Sequence, residues 1–301
     1  MPSAGSLLRQ RLADQREALR VAEAAVRNGE PQGLHDLRVA MRRIRSALAT
    51  FRPILDTSVT EPLREELKWA SGRLGEARDA DVATDHTDHL LADADLAGLE
   101  EEAVSGLRAR LRIDAAAAAD IVDDTLDSPR YAATSLLLDE LVSHPPLTDK
   151  AERDARKVAR KRLGHEMRRV EERVVAARRS VDVSDPEAPH DPDEHVTRLH
   201  GVRKAAKRLR YAAETARPVT GKRTRRLGRQ AKRVQSELGD HHDAVITRAT
   251  LRHLALDEAS GEAAAFLLGH LDADEQRATR KLEERAWRRI EALEELVVTD
   301  K

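Results

Sequence analysis

"LHDLRVAMRRIRSAL", residues 34–48, carries two stripes on one stretch of chain. Stepped at about 100° per residue, Leu34, Leu37, Met41, Ile44 and Leu48 share a sector roughly 80° wide, the core seam of an amphipathic helix. His35, Arg38, Arg42 and Arg45 occupy the adjacent sector, so a basic ridge flanks the seam instead of opposing it. Arg43 lies farther round, towards the back. A similar stretch, "LHGVRKAAKRLRYAA", returns at 199–213. Its seam is Leu199, Val202, Ala206, Leu209 and Ala213; its ridge is His200, Arg203, Lys207 and Arg210, with Arg208 towards the back.

Like charges on successive helical turns repel at spacings of three and four residues. A helix needing only solubility would interleave acids, yet none lies within either ridge; Glu214 follows Arg210 four residues on. A ridge beside a core seam should line a groove edge, and a polyanion would relieve its repulsion. Arginine offers planar, multidentate donors that suit phosphate oxygens. The histidine adds a donor whose charge depends on pH, so anion binding is expected to strengthen below about pH 6.5. The alternative is internal pairing of these arginines with acids from 76–102 or 114–127.

The recurrence extends beyond the two ridges. An offset of 165 pairs His35 with His200, Arg38 with Arg203, Arg42 with Lys207, Arg43 with Arg208, Arg45 with Arg210 and Pro53 with Pro218. An offset of 164 pairs Lys68 with Lys232 and "LGEARDA", 74–80, with "LGDHHDA", 238–244. This reads as a tandem duplication with halves at 1–145 and 149–297. Within it, "SVDVSDPEAPHDPD" at 180–193, with three prolines and five acids, is a loop or linker.

Composition agrees with an all-α chain. Of 301 residues, 40% are hydrophobic, 36% charged and only 2% aromatic. No convincing alternation of apolar and polar residues predicts a strand. Helices are expected near 6–27, 34–51, 60–75, 79–92, 98–127, 130–143, 149–179, 194–216, 222–238, 241–257 and 261–297. Gly75 is expected to end the third, Glu61-Pro62 to start it, and Asp79 and Asp243 to cap the helices after the two LG motifs.

There is no cysteine, which excludes disulfides and Cys-ligated zinc. Without a signal-peptide pattern or a membrane-length apolar run, a soluble, cytoplasmic protein is expected. The net charge of −1 hides segregation: 198–233 holds fourteen Lys or Arg against one acid, while 76–102 holds ten acids and one Arg. Such blocks create a local field.

The chain resembles the CHAD domain, the conserved histidine α-helical domain. The first ridge matches H-D-x-R-x-x-x-R-R-x-R from His35, and the second matches H-x-x-R-K-x-x-K-R-x-R-Y from His200 to Tyr211. Leu74 to Val82 resembles the family's L-G-x-x-R-D-x-D-V. The resemblance spans nearly the whole chain, about 1–297. It implies two pseudo-symmetric four-helix bundles around a basic groove, inorganic polyphosphate as the ligand, and association with polyphosphate granules. The contacts it implies are His35, Arg38, Arg42, Arg43 and Arg45 with His200, Arg203, Lys207, Arg208 and Arg210. Lys68, Lys232, Arg78 and His242 are additions from the third helix and the turn after it, where Arg78 facing His242 breaks the symmetry. Some family members carry an N-terminal triphosphatase domain of the CYTH type; no Glu-x-Glu-x-Lys motif stands here, so that activity is expected to be absent.

Two other functions compete. A nucleic-acid binder would also use basic helices, but single-strand binders interleave aromatics for stacking, and only Tyr211 adjoins a ridge. A metal-dependent phosphohydrolase would need ligands, for which "GDHHDA" (239–244) and "DHTDH" (85–89) are the candidates. Arg78-Asp79 stands where the first has His242-Asp243, and arginine is no metal ligand. No P-loop or Gly-x-Ser-x-Gly elbow is present. The expectation is therefore a binding module without catalytic residues, cofactor, metal or membrane contact; the sequence does not set the oligomeric state.

Overall fold

The computed structural model describes the backbone of residues 2–93, 101–180, 192–256 and 261–298, and side chains within these ranges except 78–93, much of 101–118, 192, 254, 261–264 and 298. The chain is all-α. Its helices are α1 (Ala4–Arg27), α2 (Gly33–Thr50), α3 (Thr57–Asp93), α4 (Glu101–Leu126), α5 (Pro129–Ser143), α6 (Ala155–Arg179), α7 (Pro192–Thr220), α8 (Lys222–Ala255) and α9 (Gly261–Val298). Short 3-10 turns at Arg52–Ile54 and Asp149–Glu152 precede α3 and α6. Among the described residues, extended pairing is limited to two isolated bridges, Ser3 with Asp154 and Leu55 with Leu147.

Start signals act as their chemistry requires. Ser3 Oγ accepts the Ser6 N–H to cap α1, Asp154 Oδ1 accepts the Lys157 N–H to cap α6, and Ser128 Oγ accepts the Tyr131 N–H ahead of Pro129 in α5. The caps of α1 and α6 are also tied to each other: Ala4 N–H donates to Arg153 O at 2.8 Å and Ala155 N–H to Pro2 O at 3.1 Å. Between α1 and α2 the chain turns through Gly29, whose φ of 71° suits glycine.

Three expected boundaries do not exist. α3 runs unbroken through Gly75, and α8 runs unbroken through Gly239. A lone glycine in a helix interior costs only about 1 kcal/mol against alanine, less than the burial of flanking Leu74 and Leu238 returns. Asp79 and Asp243 therefore sit inside helices and start none. Pro62 also lies within α3, whose start is Thr57; Asp56 Oδ1 there accepts the Ser58 N–H at 2.9 Å. The segment 181–191 of the expected linker lies outside the described residues.

The chain forms two compact units. One contains 1–72, 126–236 and 288–301; the other contains 73–125 and 237–287. Each takes residues from both sequence halves. In the first unit α1 packs along α2, α6 along α7, and α2 also meets α7. Its core includes the seams: Leu37, Met41, Ile44 and Leu48 of α2, with Leu199, Val202, Ala206, Leu209 and Ala213 of α7, are each at most 2% exposed. Leu34 is only half-buried. None of the described helices is long and apolar enough to cross a membrane.

Candidate functional site

Burying both seams in one unit fixes where the ridges fall. Each ridge occupies the sector next to its seam, so packing α2 against α7 brings the two basic rows towards each other. Lys207 shows this most directly. Burial, followed by the charges of Arg42, Arg203, Arg38 and Lys204, pushes its ammonium from an ordinary value of 10.5 down to about 7. Two of those cations belong to α2 and two to α7.

A cleft of about 290 Å³ opens here, lined by Arg42, Arg45 and Ser46 of α2, Arg64 of α3, and Lys204 and Lys207 of α7. Its other lining residues are Ala49, Arg208 and Tyr211, so every charged side chain on its wall is a cation. Burial, then the charges of Arg64 and Arg42, lower the pKa of Arg45, partly offset by Glu65. The Nε atoms of Arg42, Arg45 and Arg64 and the Ser46 Oγ are buried and have no hydrogen-bond partner among the described residues. Buried donors without an acceptor are uncommon in native proteins, and an incoming anion would satisfy them.

The two arginines at the backs of the helices, and the last ridge arginine, have internal partners. Glu214 accepts from Arg210 Nε at 2.9 Å, Arg43 Nε at 3.1 Å and Arg11 Nη2 at 3.0 Å. Burial alone would raise this carboxyl, but Arg43, Arg210 and Arg11 hold it below its ordinary value. Arg210 Nη1 also donates to Gln235 Oε1, at 3.1 Å. Beneath them Tyr211 is 3% exposed, its ring centroid 5.3 Å from the Arg210 guanidinium carbon and 6.0 Å from that of Arg43. Arg208 is held by Glu166 of α6 through two hydrogen bonds of 3.1 Å. Among the described residues, the acids that engage Arg43, Arg208 and Arg210 are thus Glu214 and Glu166; most acidic side chains of 76–102 lie outside the described residues.

The remaining expected residues are spread more widely. His35 is exposed on the first turn of α2, while Arg38, His200 and Arg203 are half-buried. Lys68 is exposed and pairs with Glu65 at 3.1 Å, three residues earlier on α3. Lys232 is exposed on α8. Arg78 and His242 belong to the second unit, where His242 is half-buried and the Arg78 side chain lies outside the described residues. Arg64, Lys204 and Ser46 line the cleft without having been expected there; Lys204 directly follows Arg203, a signal in plain view.

No group of three or more His, Asp or Glu that could hold a metal occurs among the described residues. Next to His242, His241 is buried, with Nε2 at 3.8 Å from Glu283. The side chains of Asp85–His89 lie outside the described residues.

Comparison with known proteins adds a family to this geometry. The CHAD domain model matches residues 10–252. Two curated relatives, uncharacterized proteins of Mycobacterium tuberculosis strains CDC 1551 and H37Rv, are each 30% identical over 287 residues, 93% of this chain. The alignment covers 52% of each relative, so the chain spans about half the length of the curated relatives it matches. Among solved structures, PptA from Streptomyces chartreusis superposes with a TM-score of 0.75 at 26% identity, covering 96% of this chain and 100% of that one. The CHAD domain from the plant Ricinus communis shares the fold, with a TM-score of 0.67 at 24% identity, covering 98% of this chain and 92% of that one.

Proposed function

The chain belongs to the CHAD domain family, and on that premise we propose that its two facing ridges bind inorganic polyphosphate and thereby take the protein to polyphosphate granules. The observation that carries the proposal is the cleft wall, where Arg42 and Arg45 of α2, Arg64 of α3 and Lys204 and Lys207 of α7 come together and Lys207 is half-buried among like charges. Such a cluster is electrostatically unfavourable until an anion enters it. Phosphate oxygens would accept from the buried Nε donors of Arg42, Arg45 and Arg64, and their charge would restore the Lys207 ammonium. A linear polyanion also displaces counterions, so affinity falls steeply with salt, by about a thousandfold between 50 and 200 mM if some six phosphates are contacted.

Two features favour polyphosphate over nucleic acid. The aromatic ring adjoining the cleft, Tyr211, is buried beneath arginines and offers no face for a base. The cleft wall is cationic and otherwise contributes Ser46, Ala49 and that buried tyrosine. Binding, not turnover, is the proposed role, since none of the described residues lining the cleft is a carboxylate that could act as general base.

The test is a titration with long-chain polyphosphate at about 150 mM salt, near physiological screening, with RNA of equal charge concentration as competitor. It compares wild type with Arg42→Ala/Lys207→Ala, each checked for intact fold. Tight polyphosphate binding, weak competition by RNA and loss in the double variant are expected. Absence of binding, or RNA winning the competition, would overturn the proposal.

A further inference from the structure

A larger cleft lies elsewhere in the first unit, of about 820 Å³, between α6 and the junction of α7 with α8. One wall is a row on α6: Arg156, Arg160, Gly164 and Arg168 follow one another at intervals of four residues. They lie on one helix face, and the row is about 18 Å long. The opposite wall is Lys222 and Arg223, in the first turn of α8. The first turn of a helix also presents backbone N–H groups without intrahelical acceptors, which favour anions. Between the walls the floor is apolar: Leu163, Leu227 and Val297 are buried and Met167 is half-buried.

Two observations mark this as more than a solvated charged face. Arg156, Arg160 and Lys222 make no ion pair with any acid among the described residues, whereas Arg178, farther along α6, pairs with Glu294 at 2.6 Å. Gly164, in the middle of the row, would meet nothing within 4 Å if it carried a Cβ. Glycine weakens a helix interior relative to alanine, and no close packing requires it here. What it does is leave the floor open between Arg160 and Arg168.

We infer that this cleft is a second anion site, separate from the ridges, that takes the oligophosphate group of a small phosphorylated molecule. Five cations from two helices converge on a volume typical of small-ligand sites. One acid, Glu171, stands at the end of the α6 row. Arg160 precedes Glu171 by about 16 Å of helix, so a short phosphate group held by Arg156, Arg160 and Lys222 stays clear of that acid, whereas a long chain continuing along the row would meet its charge. The apolar floor gives the organic part of a nucleotide a surface on which to rest.

Calorimetric titration with two probes, tripolyphosphate and ATP, tests this on the whole chain. The proteins are wild type, Arg160→Glu/Lys222→Glu, Gly164→Leu and the ridge variant Arg42→Ala/Lys207→Ala. Gly164→Leu leaves every charge in place and adds bulk only to open space, so it separates filling of the cleft from loss of general charge. Saturable binding should weaken about tenfold or more in the first two variants, as loss of charge-assisted bonds or of the cleft itself requires, and persist in the ridge variant. ATP binding tighter than tripolyphosphate would identify a nucleotide as the source; equal binding would identify the phosphate group alone as what is recognised. Absence of saturable binding, an unchanged Gly164→Leu, or losses that follow the ridge variant would overturn the inference. Long-chain polyphosphate binding in the same proteins reports on the ridges independently.

Discussion

Arg208 of α7 clasps Glu166 of α6, with Nε donating to Oε2 and Nη2 to Oε1, each at 3.1 Å. The glutamate side chain is 6% exposed; Arg169 Nε stands farther off at 3.6 Å, and Arg162 also feels its charge. Arg208→Ala leaves a buried carboxylate with only these weaker partners among the described residues. A cost of about 2–3 kcal/mol is expected, below the range for a fully buried pair because Arg208 is partly exposed. Thermal unfolding should shift down by roughly 4–10 °C, and a cycle with Glu166→Gln should show that the two residues are coupled. Polyphosphate affinity of the folded variant should change far less than that of Arg42→Ala/Lys207→Ala.

Glu214 restrains the other end of the basic cluster, holding Arg11, Arg43 and Arg210 on one carboxylate. Glu214→Gln removes the negative charge while keeping the shape. The three guanidinium groups then repel, so stability falls by about 1–3 kcal/mol. Arg43 and Arg210 become available to an outside anion, and polyphosphate affinity should rise several-fold in the same protein. Lower melting temperature together with tighter binding is the diagnostic pair; weaker binding would mean that Glu214 positions these arginines for the ligand.

The parts of this architecture legible in the sequence are those governed by periodicity. Leu37, Met41, Ile44 and Leu48 repeat at helical spacing and are buried, as are their counterparts on α7. The ridges follow from the seams by rotation, so the placement of Arg42 and Lys207 beside the buried seams, where both line the cleft, is legible in the periodicity as well. Gly75 and Gly239 misled because a glycine's cost in a helix is small beside the burial on either side of it. Partners far apart in the chain were not legible: Glu214 is visible at i+4 from Arg210, but nothing in the sequence shows Arg43, 171 residues earlier, reaching the same carboxylate. Arg64 was hidden for another reason. Under the 164-residue offset its counterpart is Gly228, so repeat logic is silent at the one place where α3 contributes to the cleft.

Gly33 is needed for close approach rather than for a special φ. A Cβ there would stand 2.6 Å from Val26 N and 2.8 Å from Ala25 C, both backbone atoms that cannot swing aside. Gly33→Ala must push α2 away from the end of α1, at a cost of about 1–3 kcal/mol in the manner of overpacking. Gly72, exposed on α3 with nothing within 4 Å of its would-be Cβ, is the control. Gly72→Ala should be neutral or stabilising by up to about 1 kcal/mol, since alanine favours the helix. Denaturant melts of the two variants should therefore move in opposite directions, or one should not move at all.

Lys207 couples the ridges to pH. Its folded-state pKa is lowered to about 7 from an ordinary 10.5, first by burial and then by Arg42, Arg203, Arg38 and Lys204. Between those values the unfolded chain holds a proton that the folded chain lacks, so this residue's contribution to stability rises with pH across that window and is unfavourable below it. Lys207→Met should accordingly raise the melting temperature at pH 7 and below. Ligand binding carries the opposite linkage. Phosphate favours the charged lysine, so above about pH 7 polyphosphate binding must draw a proton from solution, and affinity falls as pH rises, by up to about tenfold per unit if one proton is taken up. This window lies above the one expected from His35 and His200. Calorimetry at pH 8 in buffers of different ionisation enthalpy should show uptake approaching one proton in wild type. Uptake should vanish in Lys207→Arg, which keeps the charge and should bind with little pH dependence between 7 and 9. Equal uptake in that variant would assign the proton to another group.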